Sequence, residues 1–297
     1  MRVPSPSLRG VDRAGGASAS TARRARQPSV PVLPSGLPHL LSTLSNDSVD
    51  ARAIVNAVER VPAIAAHLLT LANSPWAAPP RPVVSLTNAC ALLGLRLVRS
   101  LSIALTVAKP FNASRCPDFD AGRYWCTAFL AADGAARLAP HMGVESEREA
   151  LRTAGLLHNL GLLWMAEKWP AQTAAALQTA ATGQHGSLAA LLRAATGTDY
   201  CESGGMLGDA WKLPEMLTIA MRHHLDLEYR GPHWQFAAAC GAAAAMAAAL
   251  WRGASVMPED SVWHSLDIAS SAMDAIFDQL AGKFDSTREL AHTLFHN

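Results

Sequence analysis

Residues 51–72 read ARAIVNAVERVPAIAAHLLTLA, with apolar side chains at Ile54, Val55, Val58 and Val61 and then at Ile64, Ala65, Leu68, Leu69 and Ala72. An α-helix completes a turn in about 3.6 residues, so this spacing gathers the apolar groups into a stripe on one helix face. Leu97, Val98, Leu101, Ala104 and Leu105 repeat the pattern. Nowhere from Leu37 onward do apolar and polar residues alternate between turn signals, as a half-buried strand requires. The spacing predicts an all-α fold, a multi-helix bundle.

Boundaries follow from capping chemistry. Ser146-x-x-Glu149 and Ser286-x-x-Glu289 have the form of capping boxes, Asp199-x-x-Glu202 is a near relative, and Pro214 suits a first helical position. Pro79-Pro80-Arg81-Pro82, Gly183–Gly186 and Gly231-Pro232 mark the connections. Asn73 and Ser74 are expected to end a helix, because Pro75 drives the residue before it out of the α region. Residues 1–33 are rich in Pro, Ser, Gly and Arg without apolar period and are expected to form a flexible tail. The helical domain is expected over 34–231. A C-terminal extension, 232–297, is expected to pack on it through an Ala-rich helix at 234–252 and helices near 259–281 and 286–295.

A chain of 297 residues, 50% of them hydrophobic, can bury a sizeable core, which excludes disorder throughout. The net charge of +1 hides an asymmetry: six arginines against Asp12 give residues 1–33 a charge of +5, leaving −4 on the rest. A body of that charge does not attract nucleic acid or an anionic membrane, and the tail reads as a solvated leader. The longest apolar stretch, Phe236–Trp251, is about one turn short of the ~20 residues of a bilayer span and reads as a buried core helix. Five widely spaced cysteines without a C-x-x-C pair, and no apolar segment behind the N-terminal arginines, point to the cytoplasm. The sequence has no G-x-S-x-G elbow, phosphate-cradling G-x-x-x-x-G-K or dinucleotide glycine fingerprint, which removes the main support for acyl transfer and nucleotide binding.

Chemistry could sit in two places. Ala154-Gly155-Leu156-Leu157-His158-Asn159-Leu160-Gly161 sets an imidazole beside a carboxamide in a stretch read as one buried helix. There His158 is expected to be a core histidine satisfied by backbone carbonyls or by Asn159. Arg222-His223-His224 ends another helix, with Asp226 just beyond. Adjacent helical residues point about 100° apart, so only one of His223 and His224 can face a given site. Trp76, in a Pro-flanked loop, is a candidate partner contact, although packing on its own domain is the plainer use.

These residues carry a resemblance. Leu68-Leu69-Thr70-Leu71-Ala72-Asn73-Ser74, Pro82-Val83-Val84-Ser85-Leu86 and Ala91-Leu92-Leu93-Gly94-Leu95 resemble the N-terminal half of bacterial HDOD domains, the HD-related output domains. The histidine segment at 156–161, Trp211-Lys212-Leu213-Pro214-Glu215 and Arg222-His223-His224 are similar to that family's later landmarks, so the resemblance runs in order from Leu33 to Leu225. It implies an HD-like helical bundle, related to metal-dependent phosphohydrolases but generally non-catalytic, that serves as a regulatory output in signal transduction. It further implies separately encoded signalling partners, such as members of cyclic-dinucleotide or two-component pathways, and calls for no cofactor.

The chain departs from the metal-binding pattern that the resemblance implies. That pattern is an early histidine, a histidine-aspartate doublet and a distant aspartate; here Cys126 and Thr127 stand where the early histidine is expected, Asn159 replaces the aspartate of the doublet begun by His158, Leu162 stands where related cyclic-dinucleotide phosphodiesterases carry a lysine, and Asp199-Tyr200 stands where many relatives have a histidine after the aspartate. A neutral carboxamide contributes no charge to offset a cation's desolvation. No residue is therefore assigned a catalytic or metal-ligating role. His158, Asn159, His223, His224 and Asp226 are expected to mark a vestigial ligand pocket. The competing expectation is a metal-dependent phosphohydrolase with an altered ligand set around His158, Asn159, His224 and Asp226.

Overall fold

Among the described residues, five helix starts are held by a side chain that accepts a hydrogen bond from a backbone N–H of the first turn. Asp50 caps α2 (Ala51–Glu59), Ser85 caps α4 (Leu86–Leu93), Asp120 caps α6 (Ala121–Leu138), Ser187 caps α10 (Leu188–Thr196) and Asp199 caps α11 (Tyr200–Ala210). The remaining helices are α1 (Leu37–Leu44), α3 (Pro62–Ala72), α5 (Leu95–Ala108), α7 (Arg148–Leu157), α8 (Leu160–Lys168), α9 (Pro170–Ala181), α12 (Glu215–His223), α13 (Trp234–Trp251), α14 (Ser270–Ala281) and α15 (Phe284–Phe295). The structure is a computed structural model that describes residues 30–33, 37–44, 46, 48–183, 186–257 and 266–295, and no strand occurs among them. The expected tail, up to residue 29, and the start of the helix expected near 259 lie outside the described residues.

Three capping expectations are corrected. Ser146 sits inside a 3-10 turn, Glu145–Glu147, and α7 starts after it without a side-chain cap, while Glu149, the other half of the expected box, pairs with Arg152 (3.3 Å). Ser286 lies inside α15, which begins two residues earlier where Phe284 packs edge-on against Trp251. Pro214 is the residue before α12, in extended conformation, rather than its first helical residue.

α6 is the central helix and packs against α7, α13, α14 and α15. Its buried Ala128, Ala131, Ala132, Ala135 and Ala136 leave room for neighbouring backbones to come close. α13 is 18 residues long and by length and composition alone apolar enough to cross a membrane. In the fold its Phe236, Cys240, Ala243 and Met246 are buried, and it packs on α6, α7 and α12. α8 crosses α11 at Gly161, where the backbones touch: a Cβ there would overlap the Tyr200 carbonyl oxygen and the Gly204 amide nitrogen. The Gly204-Gly205 pair thus serves close helix packing.

Asn73 closes α3 and does more than stop it. Its Nδ2 donates to the Leu69 and Val83 carbonyls, and its Oδ1 accepts from the Val83 N–H (2.7 Å), pinching the Pro-rich loop shut. Trp76 within that loop donates from Nε1 to the Ser286 carbonyl (3.1 Å), so it packs on its own chain. Buried Arg99 donates to the carbonyls of Leu44, Asn46 and Val49, fastening the α1–α2 connection to α5. Pro31, in the segment read as tail, accepts a hydrogen bond from Trp211 Nε1 (2.7 Å).

Asp133 on α6 gathers three cations: Arg152 (3.0 Å), Arg137 (3.0 Å) and Lys283 (3.1 Å). Burial pushes its carboxyl up, but the hydrogen bond and charge of Arg152, helped by Arg137 and Lys283, outweigh this and hold it at about 2. A depressed carboxylate pKa contributes stability above the unfolded value near 3.8, and this is lost as pH falls toward 2. Asp133→Asn is expected to lower stability by about 2 kcal/mol at neutral pH, since a pKa unit corresponds to about 1.4 kcal/mol. Urea unfolding at pH 7 checks this, and an unchanged midpoint would contradict it.

Candidate functional site

The stretch read as one helix through His158 is two. α7 ends at Leu157, His158 and Asn159 form the break, and α8 starts at Leu160, with Leu162 N–H donating to the Asn159 carbonyl (2.9 Å). The break turns the doublet's side chains toward a cavity of about 620 Å³. Thr127 from α6, Tyr200 from the start of α11, His224 from the end of α12 and Gly241 from α13 complete it. Gly241 is needed there because a Cβ would overlap the His224 carbonyl oxygen.

His158 and His224 lie ring edge to ring face, with centroids 5.0 Å apart. The carbonyl of Gly155 lies 2.7 Å from His158 Nδ1 and those of Ala220 and Met221 lie 3.2 and 3.1 Å from His224 Nδ1. A carbonyl only accepts, so both Nδ1 atoms carry the hydrogen and both Nε2 atoms present a lone pair. Burial drives the His158 pKa down to about 4 against the opposing Gly155 bond. Burial and then the neighbouring His158 drive His224 to about 3. Both rings are therefore neutral at pH 7. Cys201 Sγ lies 3.8 Å from His224 Nε2, and burial, then Asp199, raise its thiol well above the ordinary value, so it stays protonated and inert.

Asn159 Oδ1 is buried and has no hydrogen-bond partner among the described residues. An amide oxygen accepts hydrogen bonds only, so at the cavity wall it can take a donor from a bound group. The mouth carries Asp118, Asp120 and Arg123, and the walls are apolar, with Leu162, Leu177, Leu188 and Ala245 among them. Asp120 is engaged at the α6 N-terminus, and Asp118 accepts from Gln178 Nε2 (3.0 Å).

The five residues expected to share a pocket are separated. His158, Asn159 and His224 converge, whereas His223 and Asp226 do not line the cavity. His223 stacks on Tyr229 (4.0 Å) and faces Asp226 (3.8 Å) on the other side of the α12 end. Of the two positions where the early histidine is expected, Thr127 lines the cavity, its hydroxyl donating to backbone carbonyls, while Cys126 is in the core. Sequence reading missed Asp120, Arg123, Tyr124 and Tyr200. Asp120 at the α6 cap, then Arg123, Tyr124 and Thr127 within α6, recur at helical spacing and form a polar strip along its first two turns, which is a readable signal. The divalent cation of the related metal-dependent phosphohydrolases does not fit this set: the carboxamide of Asn159 replaces the doublet's carboxylate, and Thr127 stands at the place of the early imidazole. Among the described residues no group of three or more His, Cys, Asp or Glu is placed to hold a metal ion.

Similar folds are known. A protein from Marinobacter aquaeolei VT8, provisionally assigned to signal transduction, superposes with a TM-score of 0.76 at 24% identity, over 89% of this chain and 60% of that one. This chain thus spans about 60% of the Marinobacter chain's length. A Shewanella amazonensis SB2B protein provisionally assigned as a phosphohydrolase gives 0.67 at 23% identity, covering 89% and 94% of the two chains. An HDOD domain protein of unknown function from Geobacter sulfurreducens gives 0.67 at 21% identity, covering 91% and 95%. These likenesses concern the fold. No curated protein matches the sequence significantly. The HDOD domain model matches residues 30–227, two thirds of the chain and all of the helices that build the cavity except α13, and the protein belongs to the HDOD family.

Proposed function

We infer that this chain is a non-catalytic regulatory module of bacterial signal transduction, working in the cytoplasm by binding a signalling ligand or a separately encoded partner protein. The observation that carries the reading is the state of the degenerate site: two imidazoles held neutral, and a carboxamide oxygen buried without a partner, in a cavity large enough for a small molecule. A metal-dependent phosphohydrolase needs its cation to polarise the phosphoryl group and activate water. Of the donors that would hold it His158 remains, but Asn159 stands in place of the carboxylate and Thr127 near the place of the early imidazole. A module that binds and does not turn over fits what remains.

The test is metal analysis of the protein expressed with added manganese and iron, alongside a His158→Ala variant, followed by phosphate-ester assays. The expected result is metal far below one ion per chain in both proteins and no turnover in either. Near-stoichiometric metal that disappears in the variant, with hydrolysis that disappears alongside it, would overturn the reading in favour of a phosphohydrolase.

A further inference from the structure

A second cavity, of about 550 Å³, shares no lining residue with the first and opens where α5 begins. Gly94 precedes α5 in a left-handed conformation (φ +82°) with open space beside its Cα, and it offers no side-chain cap. The first turn N–H groups, at Leu95, Arg96 and Leu97, find no acceptor among the described residues, and all three residues line the cavity. Ser100, one turn further along, also lines it. The residue is only 8% exposed, and its hydroxyl, which makes no hydrogen bond among the described residues, is not sealed off from the cavity.

The charge agrees with these orphan donors. Arg96, Arg152 and Lys283 line the cavity with one carboxylate, Asp133; Asp133 binds Arg152 and Lys283, and Glu149 also pairs with Arg152 (3.3 Å), so the uncompensated cation is Arg96. Arg96 is exposed and has no ion-pair partner among the described residues. The chain beyond residue 33 carries a net −4, so this cationic excess is local rather than a property of the whole surface. Phe129, Leu130, Leu290 and Trp76 supply apolar wall. Donors that lack acceptors, at a helix N-terminus beside cations, form a setting for an oxyanion, and the apolar wall provides for a stem attached to it.

The geometry points to a second ligand site: the α5 N-terminus with Arg96, Ser100 and Lys283 binds a small amphipathic anion, a phosphoryl or carboxylate head on an apolar stem. The head accepts from the Leu95–Leu97 N–H groups, the Ser100 hydroxyl and the Arg96 guanidinium. The stem lies against Phe129 and Leu290. α6 contributes to both cavities, through Thr127 to one and Asp133 to the other, and α7 lines the second through Arg152 while His158, just past its end, lines the first.

Calorimetric titration of the full chain with phenyl phosphate, and with benzyl alcohol as the uncharged counterpart, tests the site. Phenyl phosphate is expected to bind one to one, to weaken with added salt, and to bind at least about tenfold tighter than benzyl alcohol. Arg96→Gln, at an exposed position without partners, is expected to weaken it about tenfold, and Ser100→Ala about threefold. Absence of saturable binding would overturn the proposal, as would equal affinity in wild type and Arg96→Gln. Loss in Arg96→Gln with Ser100→Ala unchanged would reduce the effect to diffuse surface attraction and overturn it too. Loss in Arg123→Gln with Arg96→Gln unaffected would move the anion to the first cavity, again against the proposal.

Discussion

Lowering the pH from 6.5 to about 4 is expected to remove more stability from this protein than any other change within that range. His158 and His224 are buried and neutral in the fold, with pKa values held down at about 4 and about 3, against 6.5 for an ordinary histidine. The sign follows from which state binds protons. Below pH 6.5 the unfolded chain takes up protons at these two positions while the folded chain does not, so falling pH favours unfolding until the folded pKa is reached. Each histidine contributes a slope of about 1.4 kcal/mol per pH unit, so His158 alone accounts for about 3 kcal/mol between pH 6.5 and 4. Domains are stable by only about 5–15 kcal/mol, so a loss of that size is decisive. The Asp133 cluster contributes in a separate window, below its unfolded value of 3.8.

Urea unfolding at half-unit pH steps, on wild type and a His158→Gln variant, measures this. Glutamine keeps a polar group in place but does not titrate. The variant is expected to be less pH-sensitive between 6.5 and 4, whatever its stability at pH 7. Parallel pH profiles in the two proteins would mean that His158 titrates normally and is not held neutral by burial.

Gly161→Ala is the second large effect. The new methyl group would overlap the Tyr200 carbonyl oxygen and the Gly204 amide nitrogen, which are backbone atoms and cannot rotate away as a side chain can. α8 must then move off α11, opening the contact that positions Asn159 and Tyr200 at the cavity. A loss of about 4 kcal/mol or more is expected, at the extreme of single substitutions. Gly282→Ala is the control: a Cβ there meets only the Asp278 and Gln279 carbonyl oxygens at 3.5 and 3.8 Å, and the backbone is right-handed (φ −62°). Its effect is expected to be within about 1 kcal/mol, on the stabilising side. Equal stability of the two variants would rule out backbone contact between α8 and α11.

Much of the fold can be read without coordinates, for identifiable reasons. The three-to-four-residue spacing from Ile54 to Ala72 reports which side of each helix is apolar, and the Asp199 cap and the Asn73 stop are decided by neighbours within four residues. All of these are local and therefore written in the sequence. His158 as a core histidine bonded to a backbone carbonyl is of the same kind, since Gly155 is three residues away. The misplaced helix start at Ser286 shows where local reading yields: α15 begins two residues earlier, where Phe284 meets Trp251 of α13.

The site belongs to the other class. That His224 and not His223 meets His158 depends on how far α12 is rotated against α7 and α13, and sequence period alone cannot set that angle. The break at Asn159 depends on α8 touching α11 about 40 residues further along the chain, and the cavity wall comes from α6, α11 and α13 together. Trp76 meets Ser286 across 210 positions. Helical periodicity determined by itself that this chain folds as an all-α bundle and which faces are buried. Only tertiary packing decided which polar groups share a cavity, because convergence is set by the rotation and close approach of helices distant in sequence.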